Sequence, residues 1–216
     1  MRYLNGKPLI AWTIEVANRS MILDKVVVST ENQEISMIAN MWGGGEIITR
    51  SRSLSADDSS VTDTIFETLT VLRDKGENFD YVTLLQPTSP LRNVVHVDDA
   101  FELMRTKNAI GVVSVCKTDH PAEWTGKLAP DGFLGSFFQE TNLDKQSQSF
   151  VPSYRINGAI YIVLVERFLD EKTLFLPTGM VAYVMDREDS VDIDDEYDLR
   201  LAEFLLKERG ENRCSS

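Results

Sequence analysis

Runs of hydrophobic residues alternate with amphipathic segments through the first half of the chain, and this alternation predicts strands connected by helices. The runs are short and rich in β-branched residues, which is typical of strands covered on both faces. Strands are predicted at 25–30, 46–49, 80–86 and 110–116, and helices at 8–19, 31–42, 61–75 and 94–106. This order favours an α/β domain with a mostly parallel sheet flanked by helices.

The alternation breaks between residues 119 and 154. Short apolar pieces at 123–128 and 133–138 surround Pro130-Asp131-Gly132, which predicts a hairpin turn. We interpret 119–154 as a small β-rich insertion within a single domain over 1–216, suited to a lid or to a dimer contact. The elements predicted after it are strands at 154–165 and 181–185 and a helix at 195–209.

Composition narrows the classes of function. The net charge of −12 argues against a general binder of nucleic acids or anionic membranes. No apolar run reaches membrane-spanning length, and the first residues lack the pattern of a signal peptide. The two cysteines, Cys116 and Cys214, need no disulfide, so a cytoplasmic location is expected.

The most informative stretch is Gln86-Pro87-Thr88-Ser89-Pro90-Leu91-Arg92, which follows a predicted strand. Ligands of open α/β sheets bind beyond the carboxyl ends of strands, and the two prolines restrict the backbone of this turn. The amide of Gln86 suits the edge of a nucleobase, and Arg92 suits a phosphate or a carboxylate. An ordinary strand-to-helix loop is the alternative interpretation.

Two further segments carry candidate binding residues. Arg50 follows the predicted strand 46–49, where either a triphosphate contact or a solvated loop fits. Arg155 and Asn157 lie on one side of a predicted strand and suit an acidic sugar, although a plain strand fits equally. The Gly158-Ala159 step that follows them is small enough for another group to approach closely.

Asp192-Ile193-Asp194 places two carboxylates on one face of an extended segment. Mg²⁺ binds to one or two carboxylates together with phosphate oxygens of a substrate, so this pair is a candidate metal site. Acidic residues are also favoured at the start of a helix, where Asp195 would be nearest to the cap. Both interpretations stay open.

Taken together, five segments resemble the CMP-N-acylneuraminate synthetases, the cytidylyltransferases that activate sialic acids and related nine-carbon sugars. The segments that match, in the order of the family, are residues 4–9, 28–30, 84–92, 155–161 and 190–194. The resemblance implies a Rossmann-like sheet, a homodimer, Mg²⁺ and a reaction in which CTP and a nine-carbon acidic sugar give the CMP-sugar and pyrophosphate.

The resemblance also implies roles for particular residues. Arg50 and Gln86 would contact CTP, joined by Ser59 or Ser60. The acidic sugar would be contacted by Gln86, Arg155 and Asn157. The residues implied to hold the metal and support catalysis are Asp192 and Asp194.

One departure from the family concerns the start of the chain. Family members open with a strand and a Gly/Ser/Lys/Arg-rich loop that wraps the triphosphate, and this loop ends in an Asn shortly before the segment that matches residues 4–6. The sequence starts at Met1, after the position of that Asn. We therefore hypothesise that Met1 is internal, and that a central strand between 26–30 and 81–86 precedes it.

Other classes remain as alternatives. A non-catalytic sugar-binding or regulatory relative would have no evident use for Arg50, Gln86 and the Asp192/Asp194 pair. A cytidylyltransferase for another acidic sugar, such as 3-deoxy-manno-octulosonate, fits residues 155–161 less well than the nine-carbon class. A flavodoxin-like regulatory domain fits the alternation but leaves the turn at 86–92 unexplained.

Overall fold

The computed structural model describes residues 2–50, 60–133 and 151–214. Two very short strands open the chain, and helices then alternate with strands. The strands are β1 (Tyr3–Leu4), β2 (Lys7–Pro8), β3 (Val27–Ser29), β4 (Glu46–Ile48), β5 (Tyr81–Leu84), β6 (Gly111–Lys117), β7 (Tyr154–Leu164) and β8 (Met180–Met185). The helices are α1 (Leu9–Arg19), α2 (Gln33–Met41), α3 (Val61–Asp74), α4 (Val94–Thr106), α5 (Val165–Glu171) and α6 (Glu196–Cys214).

Polar side chains cap the amino ends of several of these helices. Asn32 accepts hydrogen bonds from the backbone N–H groups of Glu34 and Ile35 at the start of α2. Such caps satisfy N–H groups that have no partner inside the helix. The helices predicted up to residue 106 are confirmed to within about two residues, which is the usual uncertainty of helix ends. Within the described ranges, no helix combines the length and apolar character needed to cross a membrane.

The described strands form one four-stranded sheet, a parallel pair and a short antiparallel pair of β1 and β2. The larger sheet has the order β5-β7-β6-β8, in which β6 and β8 are parallel. β7 runs antiparallel to both of its neighbours, so this sheet is mixed. β3 and β4 pair with each other, and within the described residues neither pairs with the larger sheet. The prediction of an α/β architecture with flanking helices is confirmed.

The core lies on both faces of the four-stranded sheet, because alternate residues of β6 and β7 point to opposite sides. On one face they pack with α4, and partly buried Val16 of α1 joins them; the buried residues there include Val97, Val112, Ile160 and Ile162. On the other face they pack with α3 and α5; the buried residues there include Ile65, Val113, Val163 and Phe168.

The insertion predicted at 119–154 is described only in part. Ala122–Trp124 form a 3₁₀ turn. The Trp124 N–H donates to the Pro121 carbonyl, and the Thr125 N–H that follows donates to the Ala122 carbonyl. The Gly132 N–H donates to the Ala129 carbonyl (2.9 Å), so a turn is present at the predicted position. The apolar piece at 123–128 is not a strand of a hairpin, since residues 118–133 contain no strand. Residues 134–150, and with them most of the predicted piece 133–138, lie outside the described residues.

Candidate active site

The turn that follows β5 is held from inside by a buried arginine. Arg92 is 2% exposed, and its Nη1 donates to the carbonyl oxygens of Gln86 (2.7 Å) and Ser89 (2.8 Å). Its Nη2 donates to Thr13 Oγ1 of α1 (2.5 Å). Burial lowers the pKa of the Arg92 guanidinium to about 9, which still leaves it protonated at neutral pH. The prediction that Arg92 meets a phosphate or carboxylate is therefore wrong: it fixes the turn.

A bulge in β7 faces this turn. The register between β6 and β7 shifts between Val113 and Val115, so several residues of β7 oppose Ser114 alone. The Ser114 hydroxyl lies 2.6 Å from Asn157 Oδ1 and accepts a hydrogen bond from the Ile160 N–H (2.8 Å). Bulges re-aim strand residues and are common next to active sites.

Asn157 lies at the centre of this bulge and is fully buried. Its Oδ1 also accepts from the Ala159 N–H (3.2 Å), and its Nδ2 donates to Ser190 Oγ (2.9 Å) and Met185 Sδ (3.3 Å). Both donors and both acceptor positions of the amide are thus used by protein atoms. This arrangement differs from the predicted direct contact with a sugar, because no hydrogen-bonding capacity of Asn157 faces outward.

Three polar side chains from two segments, the turn at 86–92 and the segment at 190–194, converge at Gly158. Its φ of +75° is a conformation that favours glycine. A Cβ placed there would lie 2.9 Å from Gln86 Oε1, 3.0 Å from Asp192 Oδ2 and 3.2 Å from Ser89 Oγ. The prediction that another group approaches the Gly158-Ala159 step is confirmed. The absence of a side chain allows the amide, the carboxylate and the hydroxyl to share one small region at the carboxyl end of β5.

The segment that carries Asp192 is anchored on both sides. The Ile193 N–H donates to the Thr88 carbonyl (2.8 Å), which ties the segment to the turn after β5. On the other side, Arg155 Nη2 donates to the Ser190 carbonyl (3.2 Å). The buried Asn157 amide donates to the Ser190 hydroxyl. Arg155 itself is exposed and keeps further N–H donors.

The two candidate metal ligands have different surroundings. Asp192 is partly buried, and its Oδ1 is shielded from solvent without a hydrogen-bond partner among the described residues. Asp194 is exposed, and its carbonyl accepts from Arg2 Nη1 (3.4 Å). The helix cap is supplied by Asp195, whose Oδ1 accepts from two backbone N–H groups at the start of α6. Those bonds lower the pKa of Asp195.

The buried Oδ1 of Asp192 is the observation that fits a divalent cation. A shielded carboxylate oxygen without a partner is costly, and an additional positive ligand would satisfy it. The described residues contain no group of three or more acidic, His or Cys side chains arranged for a metal. Mg²⁺ does not need one, because it binds to one or two carboxylates together with substrate phosphates. The residues present therefore fit Mg²⁺ brought with a nucleotide.

The other predicted nucleotide ligands are Arg50 and Ser60. Arg50 forms an ion pair with Glu31 (3.1 Å between Nε and Oε2) and, like Gln86, lines a cavity of about 580 Å³. Ser60 caps α3, where its Oγ accepts from the Asp63 N–H (3.1 Å). The structure thus brings Gln86 and Asp192 together at Gly158, while Ser59 lies outside the described residues.

Sequence reasoning missed the roles of the serines that support this site. Ser89 and Ser190 stood in segments that were singled out, but neither was named as a site residue. Ser114 is a buried hydroxyl in an otherwise apolar strand. A polar residue in such a run was the available signal, because buried polar groups require a partner.

Comparison with known proteins agrees with this geometry. Residues 1–127 match the family model described as Cytidylyltransferase. The N-acylneuraminate cytidylyltransferase of Escherichia coli O18:K1:H7 is 32% identical over 97% of this chain, which spans only 48% of that protein. The CMP-N,N'-diacetyllegionaminic acid synthase of Legionella pneumophila is 31% identical over 95% of this chain and 88% of its own. A pseudaminic acid cytidylyltransferase of Campylobacter jejuni is 29% identical over 94% and 86%.

Solved structures share the fold at lower identity. A CMP:2-keto-3-deoxy-manno-octonic acid synthetase complexed with CTP gives a TM-score of 0.68 at 13% identity, over 96% of this chain and 91% of that chain. A 4-diphosphocytidyl-2C-methyl-D-erythritol synthase from Anaerococcus prevotii gives 0.61 at 13% identity, over 95% and 88%. The Rossmann-like fold is therefore confirmed. The resemblance to the CMP-N-acylneuraminate synthetases is confirmed as well, and the chain belongs to the cytidylyltransferase family.

Proposed function

We propose that this protein transfers CMP from CTP to a nine-carbon acidic sugar and releases pyrophosphate. The observation that carries the proposal is the convergence of Gln86, Ser89 and Asp192 on Gly158. It places an amide, a hydroxyl and a partly buried carboxylate at the carboxyl end of β5, where α/β sheets bind nucleotides. The names of the relatives near 30% identity support the same activity and the same class of sugar.

Each end of the site suits a different part of CTP. The Gln86 amide has donors and an acceptor that can match a nucleobase or a sugar hydroxyl. Arg50 lines the same cavity as Gln86 and offers a positive charge for the phosphates. In a chain with a net charge of −12, such local cations are needed to attract a triphosphate. Ser59 and Ser60 stay predictions as further nucleotide contacts.

Asp192 is the principal candidate ligand for Mg²⁺, with exposed Asp194 as the second. When bound, Mg²⁺ would neutralise charge on the phosphate oxygens of the nucleotide. The chain's own contribution is to hold the Asp192 carboxylate in place. It does so through the Ile193–Thr88 hydrogen bond and through the contacts of Ser190 with Arg155 and Asn157.

Arg155 is the candidate ligand for the carboxylate of the sugar. It is exposed beside the Asp192 segment, and a guanidinium matches a carboxylate with two parallel hydrogen bonds. Asn157 is a positioning residue, because its side-chain amide hydrogen-bonds to the hydroxyls of Ser114 and Ser190. Its role is the shape of the bulge rather than a contact with the substrate.

The chemistry needs no covalent intermediate on the enzyme. The oxygen of the sugar's anomeric hydroxyl attacks the α-phosphorus and its proton passes to water. A P–O bond forms to the sugar, and the bond from the α-phosphorus to the bridging oxygen breaks, so that pyrophosphate leaves with that oxygen. Catalysis of such a transfer rests on positioning both substrates and on stabilising charge on phosphate oxygens. The fixed turn at 86–92 and the anchored Asp192 segment supply that positioning.

A homodimer is proposed through the insertion. The described residues at its two ends expose large apolar side chains, which is typical of surfaces that another chain covers. They are Leu128, Phe133, Val151 and Tyr154. A cytoplasmic location, in keeping with the free and buried thiol of Cys116, stays a prediction.

The test of the activity is pyrophosphate release from CTP and Mg²⁺ with four sugars in turn. They are neuraminic, legionaminic and pseudaminic acid and 3-deoxy-manno-octulosonate. We expect turnover with one nine-carbon sugar. Turnover with the octulosonate alone would contradict the proposed sugar class, and CTP binding without any turnover would favour a non-catalytic relative.

Asp192→Asn tests the site itself. We expect at least a hundredfold loss of turnover, in line with the loss of an electrostatic group that acts on the transition state. The melting temperature should not fall, because the variant removes a shielded charge that has no partner. Asp170→Asn on the exposed surface of α5 is the matched control. Equal turnover in the two variants would contradict the role of Asp192.

A further inference from the structure

The helix α6 packs against two segments of the candidate site. One is the turn at 86–92, which carries Gln86, and the other is the segment at 190–194, which carries Asp192. Both place apolar side chains in one buried cluster with Ala202 of α6; these side chains are Leu91, Val191 and Ile193. Because alternate residues of an extended segment point to opposite sides, Asp192 faces Gly158 while its two neighbours pack in the cluster.

Arg209, toward the carboxyl end of α6, adds directional contacts to this packing. Its Nη1 donates to the Leu91 carbonyl (3.2 Å). Its Nη2 donates to the Glu188 carbonyl (2.9 Å) and to Asp189 Oδ1 (2.6 Å), in the 3₁₀ turn just ahead of residues 190–194. Apolar contacts are non-directional, so these hydrogen bonds define the alignment of the two segments more closely than the cluster does.

The bridge through Arg209 is the second of two connections between the segments. The first is direct, because the Ile193 N–H donates to the Thr88 carbonyl (2.8 Å). The two connections lie on both sides of Ser89 in the turn and on both sides of Asp192 in the other segment. A single connection would let the segments rotate about it, whereas two connections fix their relative orientation.

The chemistry of arginine suits this bridge. A guanidinium is planar and holds five N–H donors in a fixed fork, so it can bind acceptors from different segments at once. The Asp189 carboxylate balances its charge, and the side chains of Arg209 and Asp189 are 33% and 17% exposed. Asp189 also lies 3.6 Å from His96 Nε2, which connects the bridge to the start of α4.

We propose that Arg209 is a positioning residue, which holds the Gln86 turn and the Asp192 segment in the alignment that turnover requires. The inference rests on the proposed function, which assigns Gln86 to the nucleotide and Asp192 to the charge on its phosphates. Arg209 acts through Leu91, Glu188 and Asp189 and not through contact with a substrate. Its loss would leave the contacts of each substrate in place and would misalign the two halves of the site, which lowers the rate of transfer.

The test compares Arg209→Met with the matched control Arg200→Met. Arg200 is exposed on the same helix, and it has no hydrogen bond or ion pair with the part of the chain that the structure describes. Arg209→Lys is a further variant, which keeps the charge beside Asp189 and loses the planar fork. Amide hydrogen exchange is measured without substrates, and kcat and KM for CTP are measured with the sugar that is turned over. All measurements are made below the melting temperature of each variant.

We expect Arg209→Met to speed exchange of the Ile193 amide at least about tenfold relative to Arg200→Met, because its bond to Thr88 then opens more often. The kcat should fall at least about tenfold, while KM for CTP stays within about threefold. Arg209→Lys should change both quantities in the same direction, and it decides the question if Arg209→Met does not fold. Equal exchange in the Arg209 and Arg200 variants would overturn the proposal, and so would faster exchange with an unchanged kcat.

The two measurements separate failure of this inference from failure of the proposed function. If the unsubstituted chain turns over none of the four sugars, the proposed function is contradicted, and exchange of the Ile193 amide still decides whether Arg209 holds the segments together. A large rise in KM for CTP with an unchanged kcat would overturn the positioning role, because that pattern indicates a lost contact with the nucleotide itself.

Discussion

Two pairs of strands in this protein differ in burial. β6 is buried except for its last residue, β7 is buried from Asn157 to Val163, and the polar groups at their bulge have partners. β3 and β5 are only half-buried, although both are apolar and lie between helices. Within the described residues, β3 and β5 each pair with one other strand, and both line the cavity of about 580 Å³. A strand with a neighbouring strand on both sides has its side chains excluded from water. A strand with a neighbour on one side only leaves its side chains partly accessible to water.

This contrast bears on the site because the site lies between the two regions. Gln86 belongs to both, since its carbonyl accepts from Arg92 and the residue also lines the cavity beside β3 and β5. Asp192 is anchored to the well-packed side through its neighbours: the Ile193 N–H donates to the Thr88 carbonyl, and the Ser190 hydroxyl accepts from Asn157. We infer that the sugar-facing half of the site is held in place by β6 and β7.

The largest effect is expected from removing the cation that connects the turn to α1. Arg92→Met would leave the carbonyls of Gln86 and Ser89 buried without donors, which should cost about 3 kcal/mol of unfolding free energy. Urea denaturation measures it. Arg105→Met is the control, because Arg105 forms an exposed ion pair with Glu102, and its loss should cost less than about 1 kcal/mol. Similar costs for the two variants would contradict the role given to Arg92.

The contact at Gly158 should be the next most sensitive. Gly158→Ala would place a methyl group about 3 Å from Gln86 Oε1 and Asp192 Oδ2, at a φ that disfavours alanine. We expect a loss of about 2 kcal/mol and at least a tenfold loss of turnover. Gly76→Ala is the matched control, since Gly76 has φ +83° in open space. It should lose about 1 kcal/mol and no turnover. Equal effects on turnover would show that crowding at Gly158 is irrelevant.

The contrast between the sheets can be measured with one chemical change at two places. Val112→Ala, in the fully buried β6, should cost about 2 kcal/mol, because it leaves a cavity. Val28→Ala, beside the cavity of about 580 Å³, should cost less than about 1 kcal/mol, since that side chain is only partly buried. Equal costs of the two substitutions in urea denaturation would contradict the distinction between β6 and β3.

The sequence predicted the positions of strands and helices better than it predicted which groups each polar side chain contacts. Strand and helix positions followed from hydrophobic spacing, and Asp195 was correctly expected nearest to the cap of α6. Arg92 and Asn157 were assigned to ligands because their side chains suit ligands, yet both are buried and serve the protein. Burial of a polar side chain depends on tertiary packing, which spacing along one strand does not encode. The bulge at Asn157 likewise depends on the pairing with Ser114.

The smallest expected effect is the pH dependence of the unfolding free energy that arises from His96 of α4. His96 completes the capping box of α4 by accepting from the Asn93 N–H through Nδ1, and its Nε2 lies 3.6 Å from Asp189. Burial lowers the pKa of His96, while the Asp189 carboxylate opposes this effect. Because the folded pKa lies below the unfolded value near 6.5, the unfolded chain takes up the proton first as the pH falls.

Stability should therefore be fully present above about pH 6.5 and should decrease below it, as protonation also removes the Nδ1 acceptor of the capping box. Thermal unfolding between pH 7.5 and 5.5 measures the effect. His96→Gln should flatten the profile over this range, because glutamine does not titrate. A profile equally steep in both proteins would mean that other groups carry the pH dependence, and that the packed face of α4 contributes no titrating group in this range.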